Sequence, residues 1–164
     1  DGLQALAVPF QLAGCGGLTA RPKLRLHLKG ATRRSGNPAL TAVVNYPAQG
    51  RSSNIRRVAV TLPRSAFLDQ AHIRTVCTRA QFAAGECPRG SVYGWAEAWS
   101  PLLGYKLSGP VYLRANGGVR NLPDIVAALR GPGWQPIAVD LVGWVDSVRG
   151  RISNTFAAVP DAPV

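Results

Sequence analysis

The chain has 164 residues, 46% apolar and 16% charged, a balance that excludes a disordered polymer and is sufficient for one domain with a sizeable core. Nineteen Lys and Arg against 8 Asp and Glu give a net charge of +11, a field that attracts acidic polymers such as nucleic acid, teichoic acids or acidic glycans. The longest apolar runs fall far short of a membrane-spanning helix.

Residues 1–22 are apolar but irregular. They lack the basic start and cleavage pattern of a signal peptide, and a chain opening on Asp1 is expected to be a processed product or a piece of something longer. From Lys23 the pattern sharpens. Leu24, Leu26 and Leu28 alternate with Lys23, Arg25, His27 and Lys29, which predicts a strand with the leucines on a core and the cations in solvent. A loop with Arg33 and Arg34 at its tip leads to a second predicted strand over 39–46, closed by Pro47. A third covers 55–62, with Val58, Val60 and Leu62 on one face and Arg57, Ala59 and Thr61 on the other.

The segment 62–94 interrupts this β pattern. Ser65 is a fair N-cap for a short turn carrying Phe67 and Leu68, and Thr78 with Gln81 three residues on forms a capping box for a brief helix stopped by Gly85 and Pro88. Cys77 and Cys87 flank that helix and are close enough for a local disulfide, which implies an oxidising, extracellular setting. Cys15 is left over, so a partner outside the chain is expected for it. The cysteine spacing is wrong for a zinc knuckle and there are only two His, so no metal site is expected, and no cofactor.

Residues 91–99 alternate again, Tyr93, Trp95, Glu97 and Trp99 against Val92, Gly94, Ala96 and Ala98. Residues 105–114 read as the partner strand, with a bulge or an edge position expected at Gly109-Pro110. Residues 124–130 are compatible with one short helix ending at Gly131 or with a strand, and the sequence does not choose between them. Ile137 to Val145 alternates cleanly and turns around 147–150 into a final strand ending at Pro160. The fold expected is all-β, a sandwich or distorted barrel of about seven strands with two or three short helices in the crossovers. A single domain over 1–164 would comprise the apolar segment 1–22, basic strands 23–61, a helical disulfide-clamped crossover 62–90 and strands 91–164.

The charge is uneven: residues 1–90 carry 13 Lys and Arg against 3 Asp and Glu, and residues 91–164 carry 6 against 5. Lys23, Arg25 and Lys29, with Arg56 and Arg57 on a neighbouring strand, could form a stripe that follows a polyanion. Cations along a strand also discourage edge pairing, and no nucleic-acid-binding motif accompanies them, so nucleic acid is not the expected partner. Tyr93, Trp95 and Trp99 admit two accounts, large side chains in a core or interface, or a platform that stacks sugars or bases. Catalytic signatures are missing: no Gly-x-Ser-x-Gly elbow, no His-Glu-x-x-His, no phosphate loop. Asp140 and Asp146 are the one carboxylate pair to test for glycoside chemistry, and pairing with nearby arginines accounts for them as well.

The segments 62–103, 109–118, 122–131 and 137–164, in that order, resemble an uncharacterised β-rich domain found in large secreted cell-surface proteins of actinobacteria. The resemblance covers the chain from Phe10 onward. It implies a secreted β-rich surface module and carries no catalytic residues. The related domains continue beyond the Val-Pro-Asp-Ala-Pro-Val segment into a further strand and a cysteine-containing tail, which implies a missing strand here and a partner for Cys15. They also favour an Asn-Gly type turn where this chain has Arg149-Gly150.

The expectation is therefore an extracellular structural or adhesive module, secreted or on the cell surface, and not an enzyme. It would associate with itself or with neighbouring domains of its parent protein, assembling into a filament or layer by β-strand addition. Leu3, Leu6, Val8, Phe10 and Leu12 form the candidate donor strand. The alternative is a binding module for acidic or carbohydrate polymers of the cell envelope.

Overall fold

A computed structural model describes residues 22–30, 36–45, 55–64, 73–100, 103–134 and 137–157. The donor strand Leu3–Leu12, Cys15 and the turn carrying Phe67 and Leu68 lie outside the described residues. The chain divides into two units, Asp1–Ser53 and Asn54–Val164. The fold is mostly β, with one two-stranded sheet and one six-stranded sheet curled into a half-barrel.

In the first unit, β1 (Lys23–Lys29) pairs antiparallel with β2 (Ala39–Asn45). Leu24 opposes Val44, Leu26 opposes Ala42 and Leu28 opposes Leu40, so one face of the hairpin is wholly apolar. Lys23, Arg25, His27 and Lys29 share the other face. The alternation expected of β1 is present, but the core expected under its leucines is not: Leu24, Leu26 and Leu28 are exposed. Among the described residues of this unit only these two strands are present, and a lone hairpin buries little.

The second unit holds β3 (Arg57–Thr61), β4 (Val92–Trp99), β5 (Lys106–Arg114), β6 (Asp124–Arg130), β7 (Ala138–Val148) and β8 (Arg151–Ala157). All pairings are antiparallel, in the order β3-β8-β7-β6-β5-β4. Strands β4 to β8 form a meander, and β3 closes on β8 at the far edge. The register places Leu107 and Leu113 of β5, Ile125, Ala127 and Leu129 of β6, and Val145 of β7 on one face, where they form two buried clusters. We term this the core face and its reverse the polar face.

Residues 124–130 form a strand, which decides between the two readings left open for them. Six of its seven residues are buried, because β6 lies mid-sheet with the core clusters on one face and a helix packed over part of the other. An apolar run covered on both faces loses the two-residue alternation that marks a strand.

The helix is α1 (Arg79–Ala84), and its boundaries follow the sequence closely. Thr78 Oγ1 accepts from the Gln81 N–H, Gln81 Oε1 accepts from the Thr78 N–H, and Gly85 caps the C-terminus in the left-handed region at φ 73°. Phe82 meets Tyr112 of β5 edge-on at 6.0 Å and lies under the Arg114 guanidinium at 5.3 Å, which seats α1 on the polar face. A 3-10 turn, Arg89–Ser91, precedes β4. Cys77 and Cys87 are disulfide-bonded with Cα atoms 5.1 Å apart. Fully buried Cys77 also bridges to β5, donating to the Leu113 carbonyl and accepting from the Ala115 N–H, at the end of β5 that β4 does not reach.

Gly109-Pro110 is neither a bulge nor an edge, as β5 runs between β4 and β6. The bulge lies one strand over, in β4 between Val92 and Gly94. Gly109 answers to close approach instead. A Cβ there would overlap the Ala128 carbonyl oxygen and stand 2.9 Å from its carbon, so only glycine lets β5 and β6 come this near. Substituting Gly109→Ala should lower stability by about 1–3 kcal/mol, read as a reduced urea midpoint at unchanged slope; an unchanged midpoint would contradict the packing.

The hairpin between β7 and β8 closes on the pair Val148 and Arg151, leaving Arg149 and Gly150 as a two-residue turn with φ of 52° and 70°. Two left-handed residues make a type I′ turn, which favours Asn-Gly, and arginine is strained there. Arg149→Asn is expected to stabilise the protein by about 0.5–1 kcal/mol, measured by thermal and chemical unfolding.

Candidate functional site

On β4, Ala96 and Ala98 pack against the buried cluster of Leu107, Ala127 and Leu129. Trp95, Glu97 and Trp99 therefore stand on the polar face. Trp95 is 66% exposed and Trp99 63%. Their exposure overturns the core account of these aromatics, and the small residues Ala96 and Ala98 face the core instead. Tyr93 does not share the row: it falls at the β4 bulge, out of the regular ladder.

Two exposed indoles four residues apart on a strand are about 13 Å apart. Two ion pairs border the strip. Glu97, between the tryptophans, accepts from Lys106 Nζ at 2.8 Å. Two strands further in, Arg130 donates to Asp140 at 2.7 Å. Both pairs are substantially exposed. They present donors and acceptors at fixed places while contributing no net charge. Across from Trp95 lies Pro110, which with Ala128 belongs to the lining of a shallow depression of about 200 Å³. Phe82, Gly85 and Cys87 of the disulfide-clamped helical segment line it too, and Arg130 contributes its guanidinium.

A second constellation occupies the polar face toward β7 and β3, and the sequence reading missed it. Asp124, buried at the start of β6, accepts from Arg120 at 2.6 Å and lies 3.7 Å from Arg114. Trp144, directly opposite Asp124, has the Arg120 guanidinium 5.4 Å and that of Arg57 5.9 Å from its ring centroid. Asn116 holds the loop that delivers Arg120. Its amide donates to the Arg120 and Leu122 carbonyls and its Oδ1 accepts from the Gly118 N–H. The only hint in the sequence is the phase that Trp144 shares with Asp140 and Asp146.

The polyanion stripe expected from sequence is not assembled by strand pairing. Lys23, Arg25 and Lys29 lie on β1, whose strand partner is β2, whereas Arg57 lies on β3, which pairs with β8, and Arg56 just precedes it. Asp140 and Asp146 share the polar face of β7 but are six residues apart, about 20 Å along a strand. That exceeds the roughly 5–9.5 Å at which two carboxyl groups flank a glycosidic bond. Asp140 is engaged by Arg130, and Asp146 accepts from the Ser147 N–H. No protein-family model, curated protein or solved structure matches this chain.

Proposed function

We propose that the protein is an extracellular, non-catalytic binding module that holds a neutral carbohydrate polymer on the polar face of β4 and β5. The observation that carries this reading is the exposure of Trp95 and Trp99 on one strand with their small neighbours turned into the core. A pyranose ring has an apolar C–H face and a rim of hydroxyls. The indoles offer flat surfaces for the former, and the flanking ion pairs offer donors and acceptors for the latter. Because each pair is internally neutralised, affinity should depend little on salt. The disulfide at Cys77–Cys87 supports an oxidising compartment for the work.

Affinity electrophoresis through gels containing a soluble β-glucan, a xylan or a galactan tests this. Wild-type protein should be retarded by at least one polymer, with similar mobility at 50 and 500 mM salt. Trp95→Ala and Trp99→Ala should each weaken binding about tenfold or more, equivalent to about 1.4 kcal/mol, with the melting temperature unchanged. Absence of retardation on all three, or variants that bind like wild type, would remove the reading.

A second reading, a structural or adhesive role through β-strand addition, has its own observation: among the described strands β3 and β4 each pair on one side only. Assembly through those edges should appear as concentration-dependent oligomers in sedimentation that dissociate on adding an excess of a synthetic Leu3–Leu12 peptide. A chain that stays monomeric at high concentration sinks it.

A further inference from the structure

We infer that the polar face carries a second, separate site, in which Arg57, Arg114 and Arg120, arranged around Asp124 and Trp144, bind an oxyanion of an acidic glycan. Arg114 and Arg120 share one buried carboxylate and Arg57 lies against the neighbouring Trp144 ring, so three guanidiniums are gathered around a single described acid. The nearest further acid on this face of β7, Asp146, turns Oδ1 to the N–H of Ser147. Among the described residues Arg57 makes no ion pair at all; its recorded contact is the ring of Trp144.

Two cations gathered on one indole repel each other, and that arrangement is stabilised by an anion between or beside them. The Arg114 side chain is only 17% exposed, and its Nε is buried without a hydrogen-bond partner. An unsatisfied donor on a desolvated guanidinium is destabilising unless something completes it.

The cluster is also pre-set for recognition. Contact with the Trp144 ring restrains two otherwise mobile arginines, and a guanidinium held on an aromatic ring keeps N–H donors that can receive a carboxylate or sulfate. Asn116 fixes the loop bearing Arg120, so little ordering remains to be done on binding. Because guanidiniums already occupy the surroundings of the Trp144 ring, it is not offered to a nucleic-acid base, and the occupant is assigned as a charged sugar chain. This site is distinct from the neutral Trp95 and Trp99 strip, since α1 sits on the polar face over Tyr112, in the row between Pro110 and Arg114.

The test is titration of the whole chain with three probes, an oligogalacturonate, a dextran sulfate of similar length and an oligo(dT), followed by tryptophan fluorescence and calorimetry. Wild type should bind the oligogalacturonate, the dextran sulfate or both, with a change in indole emission and an affinity that falls as salt rises. The double variant R57Q/R120Q should weaken that binding at least tenfold and flatten its salt dependence while lowering the melting temperature, because Asp124 loses a partner. R57Q alone, which leaves that pair intact, should weaken binding severalfold with an unaltered melting temperature. The preferred sugar polymer identifies the oxyanion as carboxylate or sulfate. Three results would overturn the proposal: full affinity in R57Q/R120Q, loss of affinity in K23Q/R25Q/K29Q instead, or oligo(dT) binding as tight as either sugar polymer and lost with the same arginines.

Discussion

Burial of β6 on both faces is the constraint on which the second unit depends. A strand covered on one side only can rest on a single sheet face with its reverse in water. Here Ile125, Ala127 and Leu129 feed the core clusters while Val126 and Ala128 are buried on the opposite side. That second covering explains why the polar face is not flat. Phe82, Tyr112 and the disulfide-clamped helix rise over the middle of the sheet, and the side chains around Trp95 and around Trp144 lie to either side of them. Asp124 marks the end of the covered run. It is buried with the rest of the strand, and as a carboxylate it requires the two arginines that partner it.

How far the sequence reveals this depends on whether a segment has one buried face or two. The capping box at Thr78 and Gln81, the stop at Gly85 and the alternation of β1, β3 and β7 are local rules, and each was legible residue by residue. Asp124 to Arg130 was not, because Ile, Val, Ala, Ala and Leu in succession carry no period and contain good helix formers. The β4 row shows a different limit. Its alternation is clear, but which phase faces inward depends on what β5 brings to the shared face, and the small residues Ala96 and Ala98 face the core. The cluster around Trp144 joins residues from β3, β5, β6 and β7, brought near by register, with Arg120 from the loop that Asn116 holds. The Gly109-Pro110 pair suggested a bulge or an edge, whereas the pairing runs through it unbroken and the glycine answers to a carbonyl approaching from another strand.

The charge distribution also changes meaning once mapped onto the strands. Of the cations in the first half of the sequence, Lys23, Arg25 and Lys29 gather on one face of the β1–β2 hairpin and others fall on β3, on α1 and in the segments around them, whereas the strip around Trp95 and Trp99 is internally balanced. A net charge of +11 therefore describes a general tendency of the molecule toward polyanions, and says little about what either face of the larger sheet selects.

Strands β3 and β4 follow each other in sequence yet occupy opposite edges of the six-stranded sheet. The meander from β4 to β8 is stitched from neighbours by short turns and can form by local zipping, whereas β3 must find β8 across most of the unit. Loop-closure entropy gives that pairing the last place in the order of folding. The five residues Arg57–Thr61 thus act as a latch on a sheet whose other strands are already in register. When the latch opens, Asn154 and Phe156 lose Val60 and Val58 from beside them, and Arg57 leaves the ring of Trp144 in the same motion.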